Sequence, residues 1–383
     1  MNHRKKLLAA ALAAALLALP APAAQAASGT PTVNCGAAVL MEKETGTILY
    51  EQNSHDKLEP ASVTKIMTLL LVMEAVDSGR ISLDQTVTIS AHAVSMGGSQ
   101  IWLKEGEQMT VHDLLKAVAV VSANDGAVAL AELVAGSEEG FVALMNQRAA
   151  ELGMADTTFV NCTGLPAAGH LTSAHDIALM SRKLILNHPS IREYTTIWMD
   201  SLRDGAFQLT NTNKLIRFYD GATGLKTGST DSALYCLSAT AERSGMELIA
   251  VVLKSPTSQD RFDAARALLD YGFANYTLMD VYPDQALPPI DVLLGEEDCV
   301  QPVLSQSSRI LVDKAQLNSV TSQINLCENV EAPVEAGQKL GEMVVTVDGQ
   351  VLQTIPIVAE KAVARLTVPG IFLRFLDRLF MSG

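Results

Sequence analysis

The chain is short of cysteine, and the five it has, Cys35, Cys162, Cys236, Cys299 and Cys327, are odd in number, lie far apart and form no C-x-x-C. That density excludes a disulfide framework; Cys299 with Cys327 is a pairing the sequence allows, against the plainer alternative of free thiols. Basic residues are scarce as well, 28 Lys and Arg against 42 Asp and Glu, for a formal net charge of -14. An acidic chain of this kind repels polyanions, which argues against nucleic acid as a partner. There is no G-x-S-x-G, and His175-Asp176 falls inside a predicted helix, so a Ser-His-Asp hydrolase finds no support. His170 and His175 have no further ligands at metal spacing and read as structural, and no cofactor is expected. Internal repeats are absent, and the only low-complexity tract is Ala-rich and N-terminal.

That N-terminal stretch carries Arg4, Lys5 and Lys6, then an apolar run from Leu7 to Leu19, then a Pro break and the small-residue segment Ala24-Gln25-Ala26. Positive, apolar and small segments in that order read as a secretory signal peptide over residues 1–27, too short for a membrane helix. Its removal takes three basic residues and moves the formal net charge from -14 to -17. A mature chain of about 350 residues exceeds what one core usually holds, so two domains are expected.

Apolar residues alternate on either side of Glu44-Thr45-Gly46, which predicts a hairpin over 36–52. From Ser62 to Val76 the apolar residues recur at helical spacing between Pro60 and Gly79, which predicts a buried helix beginning at or beside Ser62. Further helices are expected at 111–121, 127–135, 140–152, 173–187 and 258–271, and strands at 233–241 and 248–253. Hairpin first, helices in the middle and strands again late predicts an α+β fold over 28–276, an antiparallel sheet flanked by helices. Past Tyr276 short apolar runs alternate with turn pieces, and Asp348-Gly349 between two β-rich runs is a strong hairpin signal, so residues 281–363 read as a small all-β domain. The last piece, 368–383, follows Pro369-Gly370 with a wide Phe and Leu face and a narrow arc of Arg374, Asp377 and Arg378. It is too short to span a bilayer and reads as an amphipathic helix lying in a membrane surface, with a helix docked on the protein's own core or a dimer contact as the alternatives.

Three short motifs carry chemistry. Ser62-Val63-Thr64-Lys65 places a hydroxyl and an amine at i and i+3 on one helical face, about 5–6 Å apart at Cβ. Serine needs a neighbouring base to act as a nucleophile, and a lysine held neutral by burial or by a second cation serves as one. The helix start offers free N–H groups for a developing oxyanion. A second S-x-x-K, Ser54 to Lys57, lies in a polar loop with no apolar helix behind it. Ser122-Ala123-Asn124, the chain's only S-x-N, falls in a turn between two apolar segments, where Ser122 can relay a proton and Asn124 can bind a peptide backbone. Lys226-Thr227-Gly228, the only K-T-G, supplies a cation and a hydroxyl for an anionic group. Gly228 allows close backbone approach, and the amide of Ser229 is a second oxyanion donor.

Together, and in this order, the trios form the set found in penicillin-recognising serine enzymes. With Glu59-Pro60-Ala61 and Ile66-Met67-Thr68 around the first, Asp125-Gly126 after the second, Asn211-Thr212-Asn213-Lys214, and Thr223-Gly224-Leu225 before the third, the sequence resembles the low-molecular-mass penicillin-binding proteins that act as serine-type D-alanyl-D-alanine carboxypeptidases. The resemblance runs from the signal segment to the amphipathic tail. It implies Ser62 as the acylated nucleophile, Lys65 as general base, Ser122 as proton relay, and Asn124 and Lys226 as substrate contacts, with Arg261 helping to bind the terminal carboxylate. It also implies a peptidoglycan stem peptide ending in D-Ala-D-Ala as substrate, β-lactams as covalent inhibitors, and a place at the outer face of the bacterial cytoplasmic membrane. Ala123 stands where glycine is frequent, and Ser229 where bulkier residues also occur; neither change removes a functional group.

Two other readings are weighed against this one. A class A β-lactamase shares the trios, but it deacylates with a glutamate in E-x-x-x-N, and Glu132, Glu138, Glu139, Glu151 and Glu193 lack those surroundings. A non-enzymatic cell-wall binding protein on the same fold predicts loss of a reactive group, yet Ser62, Lys65, Ser122 and Lys226 are all present.

Overall fold

The computed structural model describes residues 29–283 and 285–372. The signal segment expected over 1–27 and residues 373–383 of the expected terminal helix lie outside them.

The first domain is built on an antiparallel sheet of five strands, β1 (Ala37–Glu42), β2 (Ile48–Gln52), β3 (Ala222–Thr230), β4 (Leu234–Arg243) and β5 (Met246–Ser255), in the order β2-β1-β5-β4-β3. Side chains alternate across a strand. Here both faces are covered. Val39, Met41, Ile249, Val251 and Leu253 point into the larger core, formed with α1 (Lys65–Asp77), α2 (Val111–Val120), α3 (Asn124–Ala135), α4 (Glu138–Glu151) and α5 (Ala174–Asn187). Ala38, Leu40, Leu248, Ala250 and Val252 point the other way, onto Phe262, Leu268 and Leu269 of α6 (Ser258–Asn275). Double coverage explains why β1 is buried at every position.

The expected helices and strands are present, with two differences at the motifs. Ser62 lies in a 3-10 turn, Ala61–Thr64, entered through Ala61 at φ +48, and the α-helix proper starts at Lys65. Apolar spacing does not distinguish the two helix types over one turn. The K-T-G segment, expected just before a strand, is itself the edge strand β3.

From Tyr276 the chain forms a separate β domain: β6 (Tyr276–Asp280), β7 (Ile290–Leu293), β8 (Cys299–Val300), β9 (Pro302–Leu304), β10 (Arg309–Asp313), β11 (Val320–Leu326), β12 (Asn329–Glu331), β13 (Lys339–Val347) and β14 (Gln350–Ala359). The largest sheet runs β9-β14-β13-β11, and the expected hairpin turns at Asp348-Gly349, both at positive φ. Its core is Met343, Val345, Ile355 and Ile357 with Ile310 and Val312. Lys314 reaches back to donate to the Phe273 carbonyl in the last turn of α6, 2.6 Å away. All five cysteines are free thiols, so the allowed Cys299–Cys327 bridge is not formed. Residues 368–372 open a helical turn with Val368, Ile371 and Phe372 exposed.

Candidate active site

The 3-10 turn, the α2–α3 turn and β3 converge on one cleft. Lys65 is fully buried; its Nζ lies 3.0 Å from Ser62 Oγ and donates to Asn124 Oδ1 at 2.6 Å and to the Thr163 carbonyl at 2.6 Å. The Asn124 amide is oriented by its own donation to Gly97 O, which turns Oδ1 toward the lysine. Burial pushes the Lys65 amine down to about 7, against a smaller upward pull from Cys162 and Asp125. A neutral amine has two N–H groups and one lone pair. Asn124 Oδ1 and the Thr163 carbonyl can only accept, so they take the two N–H groups, and the lone pair is left facing the Ser62 hydroxyl.

Thr163, which sequence reasoning missed, is held by a turn built on Asn161, whose Oδ1 accepts from the amides of Thr163 and Gly164. Gly164 is indispensable to that turn: at φ +81, a Cβ there would stand 1.9 Å from Ala61 O. The Asn161-Cys162-Thr163-Gly164 string was the available signal, an Asx turn ending in a left-handed glycine. His170, expected to be structural, accepts from the Val160 amide at Nδ1, which leaves Nε2–H for the Thr64 hydroxyl 2.8 Å away. Thr64 in turn donates to Ala61 O, so this chain braces the turn that carries Ser62. Burial keeps the imidazole neutral by pulling it down to about 4.

Ser122 sits at φ +64 between α2 and α3, and its buried hydroxyl has no hydrogen-bond partner among the described residues. Asp125 accepts from the amides of Ile101 and Leu103, fixing the loop whose Ser99 carbonyl accepts from Asn124 N.

On the opposite wall Lys226 is also fully buried, and its Nζ donates to Thr227 O at 3.0 Å. Burial holds it well below an ordinary lysine, and the fields of Lys65 and Arg261 push it the same way. Thr227 and Thr212 share a hydrogen bond of 2.7 Å, and Asn213 Nδ2 donates to Gly224 O, so the Asn211–Lys214 segment lashes β3 in place. Gly228 permits close approach as expected, but the partner is the protein's own backbone: a Cβ there would lie 2.9 Å from Ser62 N and 3.0 Å from Pro60 O. That contact sets the K-T-G strand directly against the serine turn, with exposed Ser229 just beyond. Arg261, which no short motif marked, is brought to the same strand. Its guanidinium donates to Gly228 O at 3.0 Å and lies near the Tyr235 and Phe262 rings, with Nε buried and without a hydrogen-bond partner among the described residues. Hydrogen bonds from Lys65 join the serine turn to Asn124, and the Gly228 contact sets the K-T-G strand and Arg261 against that turn.

The family model for D-alanyl-D-alanine carboxypeptidases matches residues 23–257, and that for the C-terminal domain of penicillin-binding protein 5 matches residues 277–365. The chain belongs to the D-alanyl-D-alanine carboxypeptidase family. It is 43% identical over 346 residues to D-alanyl-D-alanine carboxypeptidase DacF of Bacillus subtilis, covering 89% of this chain and 88% of the relative. The structure of penicillin binding protein 5 from Haemophilus influenzae superposes with TM-score 0.79 at 29% identity, covering 88% of this chain and 99% of that one. The ampicillin-bound form of Penicillin-Binding Protein D2 from Listeria monocytogenes, 35% identical with TM-score 0.59, is covered completely by 64% of this chain. Carboxypeptidases of this family are serine peptidases, and the β-lactamase and non-enzymatic readings give way to that assignment.

Proposed function

We propose that this cleft removes the terminal D-Ala from peptidoglycan stem pentapeptides through an acyl-enzyme on Ser62. The observation that carries the reading is the fully buried Lys65 amine, 3.0 Å from Ser62 Oγ, with its other hydrogen-bonding positions committed to carbonyl oxygens. The peptide carboxylate lies at Lys226 and Thr227, drawn there also by the Arg261 charge. Its penultimate carbonyl faces the amides of Ser62 and Ser229, where a developing oxyanion is stabilised. Lys65 takes the hydroxyl proton as Ser62 attacks. Ser122 passes a proton to the departing D-Ala nitrogen, Asn124 holds the peptide backbone, and water then frees the shortened peptide. β-Lactams acylate the same serine. No step calls on a cofactor.

In this reading residues 28–276 form the catalytic domain and 281–363 the β domain. Residues 1–27 direct secretion, and the helix over 368–383 lies on the outer face of the cytoplasmic membrane. The exposed Val368, Ile371 and Phe372 fit that contact. The test is incubation with a D-Ala-D-Ala pentapeptide and measurement of released D-Ala, with fluorescent penicillin labelling Ser62. A wild type that neither releases D-Ala nor takes the label sinks the assignment. Deleting residues 369–383 should move the protein to the soluble fraction, and unchanged fractionation rejects the anchor.

A further inference from the structure

The two oxygens that accept from Lys65 come from separate segments of the chain. Asn124 stands at the start of α3, where its Nδ2 donates to Gly97 O and its backbone N donates to Ser99 O. That loop follows the short helix Ala91–Val94, which carries His92. The Thr163 carbonyl follows Cys162, which is held at both ends: its N donates to Glu138 Oε1 at 3.1 Å, and its O accepts from Thr68 Oγ1 of α1 at 2.7 Å. Glu138 opens α4, and its other oxygen, Oε2, lies 2.8 Å from His92 Nε2. One carboxylate therefore bridges the segment that supports Asn124 and the segment that supports Thr163. Its side chain is 13% exposed, against 46% for His92, so the bridge lies mostly out of water. Glu138 lacks the surroundings of a deacylating glutamate, and both of its oxygens are committed to this bridge.

The spacing of the two acceptors decides where the lone pair of a neutral amine points. If either oxygen moves, the lone pair turns away from the Ser62 hydroxyl, and hydrogen bonds weaken steeply with misalignment. We propose that Glu138 is a positioning residue for acylation: by tying the Cys162 amide to His92 it fixes Thr163 O relative to Asn124 Oδ1, and so aims the Lys65 lone pair at Ser62. This rests on the acyl-enzyme reaction proposed above. The Cys162 thiol beside Glu138 does not compete for the proton, since burial and the Glu138 charge keep it protonated. His92 and Cys162 are the titratable groups facing Glu138, while Cys162, Asp125 and Lys226 are those whose charge reaches Lys65. A change in the pH profile of Lys65 on altering Glu138 is thus a change passed through the Thr163 carbonyl.

The test is stopped-flow acylation of the full chain by benzylpenicillin on both sides of the midpoint of its pH profile, normalised to the sites that fluorescent penicillin titrates. Glu138→Ala should lower the high-pH plateau about tenfold and move the midpoint down by about one unit, because a weakened Thr163 bond costs the ammonium more than the amine. The saturation constant for penicillin should stay within about twofold, since aiming the base acts on the chemical step. Glu138→Gln keeps an oxygen for the Cys162 amide and should recover most of the rate. His92→Ala frees one end of the bridge and should cost about threefold. A variant that merely folds poorly has fewer titratable sites and keeps the wild-type midpoint. An unmoved plateau in Glu138→Ala, a lower plateau with the wild-type midpoint, or a Glu138→Gln variant as slow as Glu138→Ala overturns the positioning role and leaves the carboxypeptidase reading standing. A wild type that takes no penicillin label and releases no D-Ala from the pentapeptide removes that reading and the positioning role with it.

Discussion

Buried polar and charged side chains are divided very unevenly between the two domains. Among the described residues Ser308 is the only one in the β domain, whereas the first domain buries Lys65, Lys226, Glu247, Arg261, Asp125 and many more. Taking an ionised group out of water costs several kcal/mol unless partners replace the solvent. Glu247 has such partners in Lys43, Arg192 and Thr223. The two cleft lysines have none of opposite charge at bonding distance among the described residues, only hydroxyl and carbonyl oxygens, and burial pushes both toward the neutral form. The β domain instead alternates buried and exposed positions along β13 and rests on apolar packing. Buried amines without an oppositely charged partner thus distinguish the first domain from the β domain among the described residues.

Removing the base tests that separation most severely. Lys65→Ala should cut acylation of Ser62 by both pentapeptide and penicillin by roughly 10²–10⁴, the usual worth of a general base. Lys65→Arg should not rescue it, because a guanidinium does not release its proton at any working pH. Stopped-flow acylation measures both, and a near-normal rate in either variant rejects the assigned base. The wild-type acylation rate should rise with pH through about 7, as the amine becomes neutral. The same shift has a stability consequence of definite sign. Between about 7 and the ordinary lysine value of 10.5, the unfolded chain holds a proton that the folded chain has released, so this group makes folding more favourable as pH rises. Lys65→Met should flatten that part of the stability profile, measured by denaturant unfolding at pH 7 and pH 10, and an unchanged slope counts against the buried neutral amine.

A smaller loss is expected at the seam between β3 and the serine turn. Gly228→Ala places a methyl 2.9 Å from Ser62 N and 3.0 Å from Pro60 O, so one of the two backbones must move. Displacing an oxyanion donor costs about 10²-fold, and acylation should fall by that order while the label remains specific to Ser62. Full activity in this variant means the seam is looser than it looks.

How much of this was legible beforehand depends on what kind of group does the work. The side chains proposed to carry the chemistry, Ser62, Lys65, Ser122, Asn124 and Lys226, were visible because the trios state them outright. Strands and helices of the first domain followed from periodicity, since both faces of the sheet and most of α1 are apolar. What escaped was backbone. The Thr163 carbonyl that shares Lys65 is signalled only indirectly, by the Asn161–Gly164 turn that holds it, and the Ser62 turn is 3-10 because of a local φ at Ala61 that apolar spacing does not encode. The role expected of Gly228 shifted for a related reason: space left by a missing Cβ is visible in the sequence, whereas the group that fills it, here the backbone of residues 60–63, is decided by tertiary packing.

The smallest effect on chemistry should come from the β domain. Met343 is fully buried there among Val345, Ile355 and Ile357, and Met343→Ala removes packing that no polar network can replace. A cost of about 2–5 kcal/mol is expected for that domain. Penicillin acylation should nevertheless stay within about twofold, because the contacts of the β domain, Lys314 on the Phe273 carbonyl and Leu278 and Leu311 against the core on the α6 side of the sheet, lie on the opposite face from the core that holds Ala61 and Val63 of the serine turn. Thermal unfolding followed by both circular dichroism and penicillin labelling reads the outcome. If labelling disappears at the temperature where the Met343→Ala domain melts, the cleft depends on the β domain, and the contrast between a chemical half and a packing half fails.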